Sequence, residues 1–266
     1  MLKVVSCGGG VQSTAMLVLA VQGVIDYKIF IFCNVGDDSE HPATLQYVRE
    51  VAMPYAKENG IEMIELQKVK RTGETETLYQ RLTRPDSRSI DIPVRMSNGA
   101  PGNRSCTADF KIKVVDRWLR EQNAKIEGAQ VGIGISLDEF QRMKPNMDPS
   151  TRDWKENKFP LIDLRLTRRD CIDIIHRARL PVPPKSACWF CPFHPLTRWQ
   201  EMRIDDPELF QKSCELEHLL NERRASMGKD KVYFTSKLKP LEKATTGLEQ
   251  KSLFDEIGCD SGYCFY

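Results

Sequence analysis

Three consecutive glycines, Gly8, Gly9 and Gly10, lie between Cys7 and the run Val11-Gln12-Ser13-Thr14. Glycine accepts positive φ and lets backbone N–H groups close on an anion. The apolar residues 2–6 ahead of the glycines read as a short buried strand, and residues 11–22 behind them as a helix. A helix starting at that point directs its unpaired N–H groups and positive end at the turn. Ser13 and Thr14 offer hydroxyl donors beside it. The chemistry implied is that of a phosphate cradle. It lacks both the Gly-Lys-Ser/Thr ending of a Walker loop and the spacing of a dinucleotide fingerprint.

The second group with chemical content is Cys188-Trp189-Phe190-Cys191, followed by Pro192 and His194. Two thiolates at this spacing can bind one metal ion, because a tight turn brings both sulfurs to one side. The spacing accepts zinc, an iron–sulfur cluster or thioredoxin-like redox use. Its place after a proline-rich loop, late in the chain, disfavours the thioredoxin reading. Trp189 and Phe190 are suited to shielding a cluster, and His194 reads as a ligand or as a proline-flanked surface residue. Of the nine cysteines, Cys33, Cys171 and Cys214 lie in apolar strand and helix patterns and are expected in the core. Cys259 and Cys264, near the end of the chain, are thiols for which a ligand, a nucleophile and an incidental role all stand open.

The elements that position these groups alternate. Strands are expected at residues 2–6, 28–34, 60–66 and 129–135. Helices are expected at 11–22, 43–59 with a break near Pro54, 111–123 and 207–227. Strands alternating with helices predict an α/β fold with a mainly parallel twisted sheet and helices on both faces. Residues 1–180 are read as the nucleotide-binding α/β domain, interrupted by a polar, mobile insertion at 68–103. Residues 181–266 are read as a Cys-rich helical region and tail packed on it.

The Gly-rich segment resembles the SGG-x-x-S signature of PP-loop ATP pyrophosphatases, with Ser6 at the first position and Cys7 before the glycines. It is also similar to the equivalent loop of phosphoadenylylsulfate (PAPS) reductases, in which Gly-x-Gln appears as Gly10-Val11-Gln12 does here. Four further segments follow in the order of that family. Asn34-Val35-Gly36-Asp37 with His41-Pro42-Ala43-Thr44 resembles its Asp-Thr-Gly and Glu-Thr, Asn34 and Val35 departing from Asp and Thr. Arg104-Ser105-Cys106-Thr107 with Lys111 resembles its Arg-x-Cys-Thr and downstream Lys. Gly134 through Asp138 and Glu139 to Arg142 resembles its Gly-x-x-x-Asp-Glu-x-x-Arg. Lys158 through Asp163 resembles its Asn-Pro-Leu-x-Asp strand entry.

The resemblance implies a PP-loop or HUP-like fold that binds ATP or a sulfonucleotide. The implied contacts are Ser6, Gly8, Gly9, Gly10, Gln12, Ser13, Thr14, Asn34, Gly36, Asp37, Arg104, Lys111 and Asp138, with Arg142 catalytic. Asp37 or Asp138 is the implied holder of Mg²⁺. Adenylylsulfate reductases of the family carry a 4Fe–4S cluster on an adjacent cysteine pair and a later CxxC. Here Cys106 stands in place of the pair, so Cys106, Cys188 and Cys191 match three ligands; Cys259 is the expected fourth, and three ligands with one iron left open would also suit sulfur transfer. Zinc is the alternative.

Two reaction classes fit. In one, ATP adenylates an acceptor, releasing pyrophosphate, and sulfur displaces AMP. In the other, Cys259 or Cys264 attacks a sulfonucleotide as the catalytic nucleophile, although the reductases' Glu-Cys-Gly ending is absent. A third reading is a nucleotide-binding accessory protein with structural zinc. The first is preferred, with nucleic acid as acceptor and a sulfur or thiol donor protein as partner. Arg165, Arg168, Arg169, Arg177 and Arg179, with Lys68, Lys70, Arg71, Arg81, Arg84, Arg88 and Arg95, are the cations offered to phosphates. The formal net charge of +2 does not itself argue for nucleic acid. No apolar run reaches the roughly 18 residues of a membrane span, and no secretory signal is evident, so a cytoplasmic protein without a membrane partner is expected.

Overall fold

The computed structural model describes residues 1–85, 87–143, 146 and 148–246. The chain begins with β1 (Leu2–Cys7) and α1 (Val11–Val21), then β2 (Ile29–Asn34). A bent helix follows as α2 (Pro42–Tyr47), a π turn (Val48–Ala52) and α3 (Met53–Glu58), leading to β3 (Glu62–Gln67). The π turn ends just before Pro54. Widening the helix there accommodates a residue that has no N–H to donate to the preceding turn.

Beyond β3 come α4 (Leu78–Thr83), the two-residue β4 (Arg95–Met96), α5 (Ser105–Thr107), a second π turn (Ala108–Ile112), α6 (Lys113–Glu121) and α7 (Ala124–Glu127). The sheet resumes with β5 (Ala129–Ile133), a 3-10 turn (Leu137–Arg142) and β6 (Lys155–Lys158). The remainder is helical: α8 (Pro160–Asp163), α9 (Arg168–Arg177), α10 (Leu196–Asp205), α11 (Pro207–Ser226), β7 (Val232–Tyr233) and α12 (Leu241–Ala244).

Five strands form one sheet in the order β3-β2-β1-β5-β6, and every neighbouring pair is parallel. The strand period of two sends Val5 and Phe30 to one face and Val4 and Ile31 to the other. Each face is covered: α1, the α2–α3 helix and α9 pack on one, and α6 and α7 on the other. This is the α/β class expected, with both faces of a parallel sheet buried. β6, sequence Lys-Glu-Asn-Lys, was not anticipated. It is a polar edge strand with no apolar alternation to announce it.

The segment 68–103, read as a loop, has a defined place. Leu78, Leu82, Ile92 and Val94 enter a second core with Phe110, Trp189, Phe190, Trp199, Leu220 and Phe234. Arg95 and Met96 pair antiparallel with Tyr233 and Val232. The insertion and residues 189–241 therefore share one core, built beside the carboxyl ends of the sheet strands. Among the described residues no helix is long and apolar enough to cross a membrane.

Candidate functional site

From β1 the chain crosses to β2 on one side, while β5 lies on the other. In such a sheet the crevice outside the carboxyl ends of β1 and β5 is the place where ligands are received. The Gly-rich turn sits there. Gly9 has φ +73°, and a Cβ on it would lie 2.9 Å from Val48 Cγ2 and 3.2 Å from Thr44 Cγ2, so no larger residue fits. Ser13 closes the turn. Its hydroxyl donates to the Gly10 carbonyl at 3.0 Å, and the Gly10 N–H donates to the same hydroxyl at 3.2 Å.

Ser13 and Thr14 are both buried, and the Tyr47 hydroxyl donates to the Pro181 carbonyl at 2.8 Å. The Ser13 hydroxyl, expected to meet phosphate, is engaged within the turn. The groups directed outward are the main-chain N–H groups of the first turn of α1, which have no intrahelical acceptor. Ser6, half-buried in β1, sits in register between Ile31 of β2 and Ile133 of β5. Burial pushes the Cys7 thiol up, which keeps it protonated and unreactive.

The loop after β2 forms one wall. Asn34 is buried and its amide is fully committed: the oxygen accepts from the Gly36 N–H at 2.8 Å, and the nitrogen donates to Asp37 at 2.6 Å and Glu65 at 2.7 Å. Arg49 binds Asp37 through both terminal nitrogens, at 3.0 and 2.8 Å, and reaches Glu65 at 2.6 Å. The Arg49 guanidinium holds both carboxyls below the usual carboxylate range. Gly36, at φ +130°, has no room for a Cβ, which would lie 2.5 Å from Thr77 Cβ. That closeness docks the start of α4 onto the loop, where Thr77 donates to Asp38 at 2.8 Å and Tyr79 N–H to Ser39 at 2.9 Å.

The opposite wall is a polar cluster around Gln12. Its amide nitrogen donates to Glu139 at 3.2 Å and its oxygen accepts from Arg168 at 3.2 Å. Glu139 pairs with Arg142, and both are buried. Arg142, expected as catalytic, is thereby linked through Glu139 to Gln12. Asp138 accepts from the Arg168 N–H at 2.9 Å and so caps α9. Of the candidates for Mg²⁺, Asp37 shares the Arg49 guanidinium with Glu65, and Asp138 is bound to the Arg168 N–H.

The thiol turn is fastened directly to these loops. The Ser186 hydroxyl donates to the Gly8 carbonyl, and His41 N–H donates to the Ala187 carbonyl at 3.1 Å. Glu40 pairs antiparallel with Cys188. Trp189 donates its N–H to Ser39 at 3.2 Å and its indole N–H to Asp38 at 2.8 Å. Within the turn, Cys191 N–H donates to the Cys188 carbonyl at 3.1 Å. His194, expected at the surface or as a ligand, is buried, and burial pushes its imidazole down to about 3. Its Nε2 lies 2.9 Å from the Cys188 carbonyl, which accepts only, so this nitrogen carries the proton. His194 thus braces the turn.

Arg104 lies over the Phe193 ring, 5.0 Å from its centroid, bringing the Arg104–Cys106 segment against the thiol turn. Cys106 and Cys188 pack on the same apolar core. Lys111, in the π turn ahead of α6, places its ammonium 3.7 Å from Glu40. Among the described residues no three His, Cys, Asp or Glu side chains gather closely enough to hold a metal ion. Cys106, Cys188 and Cys191 alone therefore do not fit a complete cluster or zinc site. Cys259 and Cys264, expected as further ligand or nucleophile, lie outside the described residues.

The offered cations divide. Lys68, Arg81 and Arg84 converge on Glu76, a buried acid, at 3.5, 2.5 and 2.7 Å, and are partly neutralised by it. Arg165, Arg169, Arg177 and Arg179 are exposed. Sequence reasoning missed Glu40, Arg49, Glu65 and Ser186. Each is an ordinary polar residue whose role arises only when distant segments meet.

No family model matches the chain, and no curated protein does. Among solved structures, the U34-tRNA thiolase NcsA from Methanococcus maripaludis, with its 4Fe–4S cluster, is similar over 82% of this chain and 72% of its own, with 16% identity and a TM-score of 0.43. That likeness is too loose to transfer any property from the thiolase to this chain.

Proposed function

We propose that this chain is a PP-loop-type enzyme that adenylates an acceptor with ATP for sulfur transfer, the acceptor being a nucleic acid. The observation that carries the proposal is the bonding of the thiol turn to the Gly-rich turn through Ser186 and Gly8, and to the β2 loop through Glu40, His41 and Trp189. A phosphate cradle and a thiol pair are thereby parts of one site. The Gly-rich turn holds the phosphates by main-chain N–H groups, and Lys111 and Arg104 supply positive charge on the side of the thiols.

An acceptor oxygen attacks the α-phosphorus. The bond to the β-phosphate breaks, pyrophosphate leaves with the electron pair, and the adenylated carbon is exposed to sulfur. The outer sulfur of a persulfide-class donor attacks that carbon, AMP leaves with the C–O electron pair, and a second thiol of the donor cleaves the resulting S–S bond, leaving sulfur on the acceptor and a disulfide on the donor. Catalysis of the first step is positioning and charge stabilisation. A metal or cluster on Cys188 and Cys191 requires donors from beyond the described residues, where Cys259 and Cys264 lie, and none of these steps is routed through it.

The test is product analysis on anaerobically purified full-length protein given ATP, with and without RNA or DNA, beside iron, zinc and acid-labile sulfide determination. AMP and pyrophosphate in equal amounts, stimulated by nucleic acid, are expected. Cys188→Ser is expected to retain pyrophosphate release and lose sulfur transfer. Sulfite released from PAPS or adenylylsulfate without ATP, with no pyrophosphate from ATP, would instead identify a reductase.

A further inference from the structure

Glu40 is 1% exposed, and burial pushes its carboxyl up while the Lys111 ammonium and the Val35 N–H oppose that shift. Its main chain cannot move to relieve this. The Glu40 N–H donates to the Gly36 carbonyl at 2.9 Å, and the residue is bridged to Cys188 on its other side. A buried carboxylate persists only beside a compensating cation. That cation is Lys111, whose Nζ lies 3.7 Å away with its side chain 15% exposed.

Lys111 belongs to the π turn against β2, where its carbonyl faces the Cys33 sulfur at 3.7 Å. Its charge is felt at Cys7, the residue that opens the Gly-rich turn. A lysine stem is flexible, and holding its ammonium at one point costs rotamer entropy. An acid fixed by its own backbone removes that freedom before any ligand arrives.

We propose that Glu40 is a positioning residue: it holds the Lys111 ammonium at the carboxyl ends of β1 and β2, beside the Gly-rich turn, for the phosphates of the adenine nucleotide. This rests on the nucleotide-binding reading given above. Because the same residue pairs with Cys188, it sets the phosphate-side cation and the thiol turn in one register.

Titration calorimetry of ATP and of adenosine into wild type, Glu40→Gln, Lys111→Met and the double variant tests this. Glu40→Gln is expected to weaken ATP binding about tenfold and Lys111→Met by at least as much, the double variant matching Lys111→Met because the two act as one unit. Adenosine, which has no phosphates, is expected to bind all four alike. A carboxylate also repels phosphate, so Glu40→Gln binding ATP as well as or better than wild type overturns the proposal. Additive losses, or equal losses for adenosine, overturn it too. If Glu40→Gln does not fold, Glu40→Asp, which keeps the charge but withdraws it by a methylene, is expected to weaken ATP and spare adenosine. Wild type that binds no ATP rejects the nucleotide reading itself, an outcome distinct from any pattern among the variants.

Discussion

Gly9 and Asn34 show how differently single residues announce themselves. The glycine run was legible as a tight turn between a strand and a helix because three adjacent glycines at such a junction have few other uses. The positive φ of Gly9 and its contact with Val48 show why one of them is indispensable. Gly9→Ala is expected to cost about 2–4 kcal/mol in chemical denaturation, combining backbone strain with overpacking. Asn34 looked like a departure from an aspartate that touches nucleotide. In the fold its amide nitrogen lies between Asp37 and Glu65, so an aspartate there would add a third carboxylate to two. Asn34→Asp is expected to destabilise by about 1–3 kcal/mol at neutral pH, with the deficit shrinking in acid, as denaturation at several pH values would show. The cysteines split as expected from pattern alone. Cys33, Cys171 and Cys214 are pushed up to about 12 by burial. Alkylation at neutral pH, read by mass spectrometry, is therefore expected to spare all three until the chain is unfolded.

Elements were legible where apolar periodicity marked them. β1, β2, β3, β5, α1 and α11 fall close to their expected positions. β6 was missed because a polar edge strand carries no alternation. The segment 68–103 was read as a loop because its buried residues are few and separated, and α4 takes its place from Glu76, Thr77 and the neighbouring β2 loop. The salt-bridged joint between β2, β3 and the π turn also has a measurable pH signature. Arg49 lowers the Asp37 and Glu65 carboxyls, so its stabilisation is fully present above the ordinary carboxylate range. It is lost as pH falls through the depressed folded values. The stability gap between wild type and Arg49→Ala is thus expected to be constant near neutrality and to close below about pH 4. The clasp between turns makes a separate prediction. Ser186→Ala removes the hydroxyl bound to Gly8, and nucleotide affinity is expected to fall severalfold with little change in melting temperature.

At the scale of the molecule, the sheet and its two covered faces followed from the order of strands and helices. The second core did not. It joins Leu78 and Phe110 to Trp199 and Phe234, pairs separated by more sequence than local pattern can connect. The joint site inherits that difficulty, since residues near the beginning of the chain, the β2 loop and the thiol turn come together only when both cores form. Sequence resemblance named Gly8, Asn34, Asp37 and Lys111, whereas the buried links beside them, Ser186 and Glu40, had no signal of their own. The most direct test of a shared site is the alkylation rate of Cys188 and Cys191 in the full chain, measured with and without a non-hydrolysable ATP analogue, with Cys214 as the internal reference. A nucleotide-dependent change in that rate, with Cys214 constant, is the predicted result. Analogue binding that leaves both thiols reacting at an unchanged rate would contradict the joining of phosphate cradle and thiol turn in one site.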